Sequence, residues 1–425
     1  MTAASEADEQ ALAKLFRQQS GRLVAFLARI FGVARVDLAE DVAQETLLAA
    51  LQAWRGGLPP DPTAWLFAVA RNRARDVLRR ERVRRGHGTL DASDDEAWQG
   101  AADAGADGGE VALRSESDGD LLRLMFSCCH PALSQDTQTA LILRLVCGFG
   151  SGEIAHAFLA SPAAMEKRLV RARRTLADEG RLFDVTTLEA ARERRPAVMA
   201  ALYLMFDAGY HGGAPEPIRA DLCADAIRLA RLLAEARATA HLSAHALVAL
   251  MCLHAARMPA RGAALSLVAL EDQDRTAWDA RLVALGMQHL AASAQGTELS
   301  DYHLEAGIAA EHAAASSVAT TSWPTIVALY DRLYELKPTP IVGLSRAIAR
   351  ARIVGPEHGL REVLALEGRD RLEGYPFYWA ALGDLALRAG DRGAAMRWLR
   401  AGLAACRNDV ERAMFERRIA ECQDA

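Results

Sequence analysis

Residues 39–54 read AEDVAQETLLAALQAW, and after the turn RGGLPPD (55–61) residues 62–80 read PTAWLFAVARNRARDVLRR. In the first stretch Ala43, Leu47, Ala50 and Trp54 recur at helical spacing, so the pattern predicts one helix from Val36 to Trp54 with a buried stripe. Asp41, Gln44 and Glu45 fall at i, i+3 and i+4 on the other side and form a compact acidic-polar patch. In the second stretch Asp61 supplies an N-cap and Pro62 the first helical position. Its buried stripe is Leu66, Ala70, Ala74 and Val77. Its polar face carries Arg71, Asn72, Arg75, Arg79 and Arg80, and continues into Arg82, Arg84 and Arg85. Eight arginines against two acids lie between residues 71 and 85. That density is an electrostatic footprint for phosphate, because each neutralised phosphate releases condensed counterions. Trp65, near the start of the same helix, is of a kind that stacks on an unpaired base.

A second basic block lies at 136–179. Thr137 to Val146 reads as an apolar helix broken by Gly148-Phe149-Gly150, and Ser151 to Leu159 as a short one. Ser161-Pro162 then caps a third helix, whose stripe is Met165, Leu169, Ala172 and Leu176. Lys167, Arg171 and Arg174 share its opposite face, flanked by Arg168 and Arg173. A short helix, a tight turn and a basic second helix are what reading a major groove requires.

The whole chain has 425 residues and a formal charge of −5, but the charge is unevenly spread. Residues 1–90 sum to +4, residues 91–120 to −9, residues 121–181 to +3 and the remaining 244 to −3. The acidic stretch, DASDDEAWQGAADAGADGGEVALRSESDGD, has almost no aliphatic periodicity and reads as a mostly disordered tether. Its negative charge is suited to shielding the two basic blocks when nucleic acid is absent. Alanine makes up about a fifth of the chain, which favours helix over a β-sandwich or barrel. No run of 18 apolar residues occurs, and the first ten residues lack a basic and apolar leader, so neither a membrane span nor secretion is expected. Seven cysteines without C-x-x-C spacing fit free thiols in a reducing cytoplasm.

The two basic blocks, with GSGEIAHAFLASPAAMEKRLVRARRTL at 150–176, resemble regions 2 and 4 of a bacterial RNA polymerase sigma factor of the extracytoplasmic-function group. The resemblance implies that the D-x-x-Q-E-T segment, here Asp41, Gln44, Glu45 and Thr46, docks on the clamp-helix coiled coil of the polymerase β′ subunit. It implies that the A-W-L-x-x-I-A-R-N-like segment, with Val69 at the isoleucine position, melts and reads the −10 element together with the basic helix that follows. The residues concerned are Trp65, Arg71, Asn72, Arg75, Arg79 and Arg80. For the −35 element they are Ser161, Met165, Lys167, Arg168, Arg171, Arg173 and Arg174. One departure is Leu159-Ala160 at the turn, where the family often has Leu-Gly. The implied partners are core RNA polymerase, through β′ and β, and promoter DNA.

A minimal member of that group stops soon after the second block. Here LMFSCCHPALS (124–134), YLMFDAGY (203–210), IRADLCADAIRLARLL (218–233) and LVALEDQDRTAWD (267–279) resemble a subgroup with a large helical extension ending in tetratricopeptide-like (TPR) repeats. Trp379, Leu382, Gly383, Ala395 and Leu399 meet positions of one such repeat, and Gly355 and Gly390 lie 35 residues apart. Stacked helix pairs of this kind offer a surface to a protein or peptide partner. The expected architecture is all-α. Region 2 falls at 1–90, the flexible linker at 91–120, the helix-turn-helix region 4 at 121–181, a helical extension at 182–295 and TPR-like repeats at 296–425.

Catalytic and metal chemistry finds little support. Cys128-Cys129-His130 has no second ligand pair at suitable spacing, and His241 and His245 lack the intervening glutamate of a metalloprotease. No glycine-rich phosphate loop occurs. Glu271, Asp272, Asp274 and Asp279 form an acidic cluster that reads as an exposed loop and helix start. No cofactor and no enzymatic activity are expected. A stand-alone helix-turn-helix regulator with a TPR-type sensor gives Asp41, Gln44 and Glu45 no task. An interaction scaffold that binds acidic proteins or membrane predicts little sequence preference on DNA.

Overall fold

The computed structural model describes residues 3–84, 110–158, 160–178, 188–211, 219–236, 239–261, 270–406 and 409–424. Among them every regular element is helical. The chain divides into two compact units, Met1–Met205 with Glu235–Ala240, and Phe206–Ala234 with His241–Ala425.

The first unit begins with α1 (Ala3–Phe31), a long helix that the residue spacing alone had not brought out. It carries much of this unit's core, with Leu23, Val24, Phe26 and Leu27 buried. Two helices already expected pack beside it, α2 (Val36–Ala53) and α3 (Pro62–Arg84). The backbone N–H of Ala64 donates to the Asp61 carboxylate at 2.8 Å, which is the cap the sequence promised. Next come α4 (Glu110–Cys128), α5 (Gln135–Leu145), α6 (Ser151–Ala157) and α7 (Pro162–Ala177). Ser161 accepts from Ala164 N at 3.2 Å and Pro162 opens α7, while Gly148 takes φ +70° where the chain leaves α5.

The tether expectation needs correcting at its C-terminal end. Residues 85–109 lie outside the described residues, but α4 starts at Glu110, inside the stretch read as disordered. Asp118 pairs with Arg22 at 2.5 Å and Asp120 with Arg29 at 3.1 Å. Two of the acids thus fix α4 along α1. Helix formation there gains from tertiary packing that a local reading of composition does not contain.

The division between units falls within α8 (Leu188–His211). The second unit continues through α9 (Ala220–Glu235) to α10 (Leu242–Ala255), whose residues Ala246 to Leu253 are all buried. A helix apolar all round must be covered all round, and α11 (Ala280–Ser293) and α12 (Asp301–Ala314) pack against it. Thereafter α13 (Trp323–Leu336), α14 (Pro340–Val354), α15 (Pro356–Leu364), α16 (Pro376–Arg388), α17 (Arg392–Ala405) and α18 (Asp409–Asp424) each pack on the next. Gly355 and Gly390 turn α14 into α15 and α16 into α17 with φ of +99° and +84°. A Cβ at Gly383 would lie 2.8 Å from Leu399, so α16 and α17 approach closely where the repeat pattern places its small residue.

In the first unit a Cβ on Gly21 would sit 1.8 Å from the carbonyl oxygen of Val146. There α1 meets the end of α5 backbone to backbone, with no room for a methyl group. Gly21→Ala is expected to cost about 1–3 kcal/mol through forced backbone shifts. Gly152→Ala, in open space on α6, is expected to change stability by no more than about 1 kcal/mol. Urea unfolding of the two variants beside the parent chain checks both.

Candidate nucleic-acid interface

On α2, Asp41, Gln44 and Glu45 are exposed on one face, and Glu45 accepts from Arg73 of α3 at 2.6 Å. Two residues that the spacing argument passed over join them: Leu48 and Leu51 are 58% and 45% exposed. Positions 41, 44, 45, 48 and 51 are linked by spacings of three and four and fall along one side of a helix. This side is therefore a mixed acidic and apolar strip, on which both leucines leave about half of their surface uncovered. A surplus of leucines over the buried stripe was the signal available in LLAALQAW. Thr46, expected with this group, is fully buried, and its hydroxyl donates to Val42 O at 2.7 Å. Its position one step round the helix turns it to the core, which corrects the assignment.

On α3, Leu66, Ala70 and Ala74 are buried as the stripe demands. Asn72, Arg75, Arg79 and Arg80 are exposed, and Arg71 is half-buried. Trp65 is also half-buried, its ring 5.3 Å from Trp54 in an edge-on contact, with Trp54 in turn 5.7 Å from Phe16. One side of the Trp65 indole is thus committed to the core, and only its remaining surface is open to a base.

On α7, Lys167, Arg171 and Arg174 are exposed together and Arg168 is half-buried. Ser161 is exposed, with its hydroxyl engaged as the helix cap. Two of the expected residues are not presented outward. Met165 is fully buried with Leu169, Ala172 and Leu176, because it falls on the apolar stripe of α7. Arg173 turns inward to the first three helices, where its guanidinium reaches Glu40 at 2.5 Å and Asp37 at 3.1 Å.

Glu40 is the meeting point. Its carboxylate accepts from Arg144 of α5 at 2.9 Å as well as from Arg173, and it is only 7% exposed. A cleft of about 320 Å³ lies beside it, lined by Phe16, Gln44, Leu47, Arg144 and Phe149 among others. Burial pushes the Glu40 carboxyl up from its ordinary 4.5, and the two guanidiniums only partly offset that.

The remaining clusters are accounted for by packing. Cys128, the last residue of α4, and Cys129 after it are buried, and burial pushes the Cys129 thiol up to about 12. His130 Nδ1 accepts from Ala132 N at 3.1 Å. His241 and His245 face different partners: Nδ1 of His245 lies 2.9 Å from Nδ1 of His289, while Nε2 of His241 lies 2.9 Å from Glu298. No group of three metal-ligating side chains occurs among the described residues, and no described helix is long and apolar enough to cross a membrane.

Residues 15–84 match the family Sigma-70 region 2 and residues 123–176 match Sigma-70, region 4. Residues 194–294 match a family of unknown function, DUF6596. An uncharacterized protein of Rhizobium meliloti (strain 1021) is 38% identical over 363 residues, 84% of this chain and 83% of that protein. RNA polymerase sigma factor NccH of Alcaligenes xylosoxydans xylosoxydans is 32% identical over 175 residues, 41% of this chain and 88% of its own length. RNA polymerase sigma factor CarQ of Myxococcus xanthus is 32% identical over 186 residues, 43% of this chain and 95% of its own. No solved structure matches the chain.

Removing Arg173 leaves a buried carboxylate with one guanidinium, so Arg173→Ala is expected to cost about 3 kcal/mol. Glu40→Gln removes the charge that burial opposes and is expected to cost less. The native state holds the Glu40 proton to higher pH than the unfolded chain does. Its stabilising contribution is therefore full below 4.5 and is lost as pH rises through the raised value. Urea midpoints measured across that window are expected to fall with pH in the parent chain and to lack this component in Glu40→Gln.

Proposed function

Since the chain belongs to the extracytoplasmic-function group of RNA polymerase sigma factors and carries a long helical extension, we propose how its parts share the work of directing transcription initiation. As a sigma factor it binds core RNA polymerase and directs initiation at specific promoters. The family is regulatory, and this chain acts in the cytoplasm, where core polymerase and promoters are.

The strip of Asp41, Gln44, Glu45, Leu48 and Leu51 docks on β′. The observation that carries this is the exposure of Leu48 and Leu51 among those polar groups: apolar side chains gain from burial against a partner, and the polar ones set its register. On α3, Asn72, Arg75, Arg79 and Arg80 track the −10 strand, with the open part of Trp65 beside an unstacked base. On α7, Lys167, Arg168, Arg171 and Arg174 face the −35 major groove. Arg173 joins them only after it leaves Glu40.

That separation follows from lengths. The two promoter elements lie about 25 base pairs apart, roughly 85 Å at about 3.4 Å per base pair. In this structure the two DNA-reading regions touch at Glu40 and Arg173. The free chain is a closed form, and assembly with polymerase draws the regions apart. In the extension, α14–α15 and α16–α17 are two TPR-type hairpins, a reading supported by their matching glycine turns. They modulate the sigma domains or receive a protein or peptide partner.

The test is run-off transcription with purified core polymerase and the full chain on fragmented genomic DNA. Discrete starts sharing a −35/−10 pair are expected. Leu48→Glu with Leu51→Glu is expected to weaken core binding at least about tenfold without unfolding the chain. Arg79→Ala with Arg80→Ala is expected to lower the salt slope of promoter binding by about two. Tight binding to duplex DNA without polymerase, unaffected by the leucine changes, would instead fit a stand-alone regulator.

A further inference from the structure

The segment LEDQDRTAWD (270–279) reads as acidic, yet its acids are spoken for. Glu271 pairs with Arg352 and reaches Arg418 at 4.0 Å. Asp274 caps Thr276, and Asp279 caps α11 through the N–H groups of Arg281 and Leu282. What the segment turns inward is a cation and an indole, Arg275 and Trp278.

Arg275 and Arg257, which follows α10, each place their guanidinium carbon 5.7 Å from the centre of the Trp278 ring. Arg275 also donates to the carbonyls of His312 and Ala315, at 2.9 and 2.8 Å, and to Thr321 at 3.1 Å. The Arg257 Nε donates to Gln273 at 3.4 Å. Among the described residues neither arginine has a carboxylate partner. Arg261 lies near enough to Arg257 to add repulsion, and it donates to the Tyr210 carbonyl at 2.7 Å. Burial lowers the affinity of Arg257 for its proton, and burial together with Arg257 does the same at Arg275.

Two buried polar atoms at this place have no hydrogen-bond partner. They are Nε1 of Trp278, a donor, and Nδ1 of His312, on residues only 8% and 9% exposed. Burial, with Arg257 and Arg275 nearby, pushes His312 down to about 4. Its imidazole is therefore neutral at pH 7, able to donate from Nδ1. Cations taken out of water without a counter-charge are costly, and orphaned buried donors add to the cost. Two guanidiniums without a carboxylate and two buried polar atoms without a partner lie in this one part of the fold. One acceptor-rich, negatively charged group would satisfy both.

We propose that Arg257, Arg275, Trp278 and His312 form a binding site for a small oxyanion, a carboxylate or phosphate group on a small molecule. The guanidiniums supply charge, Nε1 of Trp278 and Nδ1 of His312 supply directed hydrogen bonds, and the indole offers a flat wall to the rest of the ligand. The site joins the end of α10 and the 270–279 segment to the end of α12, so occupancy ties together the two parts of the extension. It stands independently of how the sigma domains work.

The test is isothermal titration calorimetry of the full chain with sodium phosphate and, separately, sodium acetate, against sodium chloride at equal ionic strength. Saturable one-to-one binding of at least one of the two is expected, and which one binds identifies the kind of anionic group. Arg257→Gln is expected to weaken binding at least about tenfold, as loss of a charge-assisted contact does. Trp278→Phe keeps an aromatic ring in place of the indole and removes one donor, so it reads the same site if Arg257→Gln does not fold, with a loss of about threefold or more. Arg332→Gln, at an exposed pair with Glu335, is expected to bind as the parent does. No saturable heat below about 10 mM from either anion, or binding that both Arg257→Gln and Trp278→Phe leave unchanged, would overturn the proposal.

Discussion

The Glu40 carboxylate, held between Arg144 and Arg173, is the contact on which the arrangement of the first unit depends. It joins α2, which carries the exposed strip from Asp41 to Leu51, to the two helices that frame the helix-turn-helix. A buried carboxylate is tolerable only with cationic partners in place, so any motion that separates these regions must also rehydrate three charged groups. The backbone contact of Gly21 with Val146 and the pairs of Arg22 and Arg29 with α4 act at the same junction.

This junction uses a residue that promoter reading would also use. Arg173 lies in the same basic helix as Lys167, Arg171 and Arg174, yet its guanidinium is committed to Glu40 and Asp37. The elements such a chain reads are separated by a distance that no contact of 2.5 Å can span. On the proposed reading, closure and promoter engagement are alternatives, because Arg173 is held by Glu40 and Asp37 in the closed form.

The second unit is built by another rule. Its central helix α10 is enclosed by α11 and α12, and from α12 onward each helix leans on its neighbour. Where the enclosed part gives way to the serial part, Trp278, His312, Arg257 and Arg275 are gathered with donors to spare. Such a composition is costly unless something negative completes it.

The sequence by itself determined the local grammar of this protein. Apolar stripes at helical spacing set the helices at 36–53, 62–84 and 162–177, and Asp61 and Ser161 set where two of them begin, because caps and periodicity act within a few residues. It also placed the arginine-rich faces and the motifs by which the family is known. It did not reveal α1 or the helical start of α4, since one was not separated from its surroundings by any motif and the other is held by distant arginines. Composition marked Glu271, Asp272, Asp274 and Asp279 as an acidic patch, but ion pairs and caps consume most of it. Only the tertiary structure decided that Thr46, Met165 and Arg173 turn away from the surfaces they were expected to serve, and that Leu48 and Leu51 stay exposed. Those outcomes depend on which distant helix lies opposite each side chain, and spacing along one helix carries no record of that.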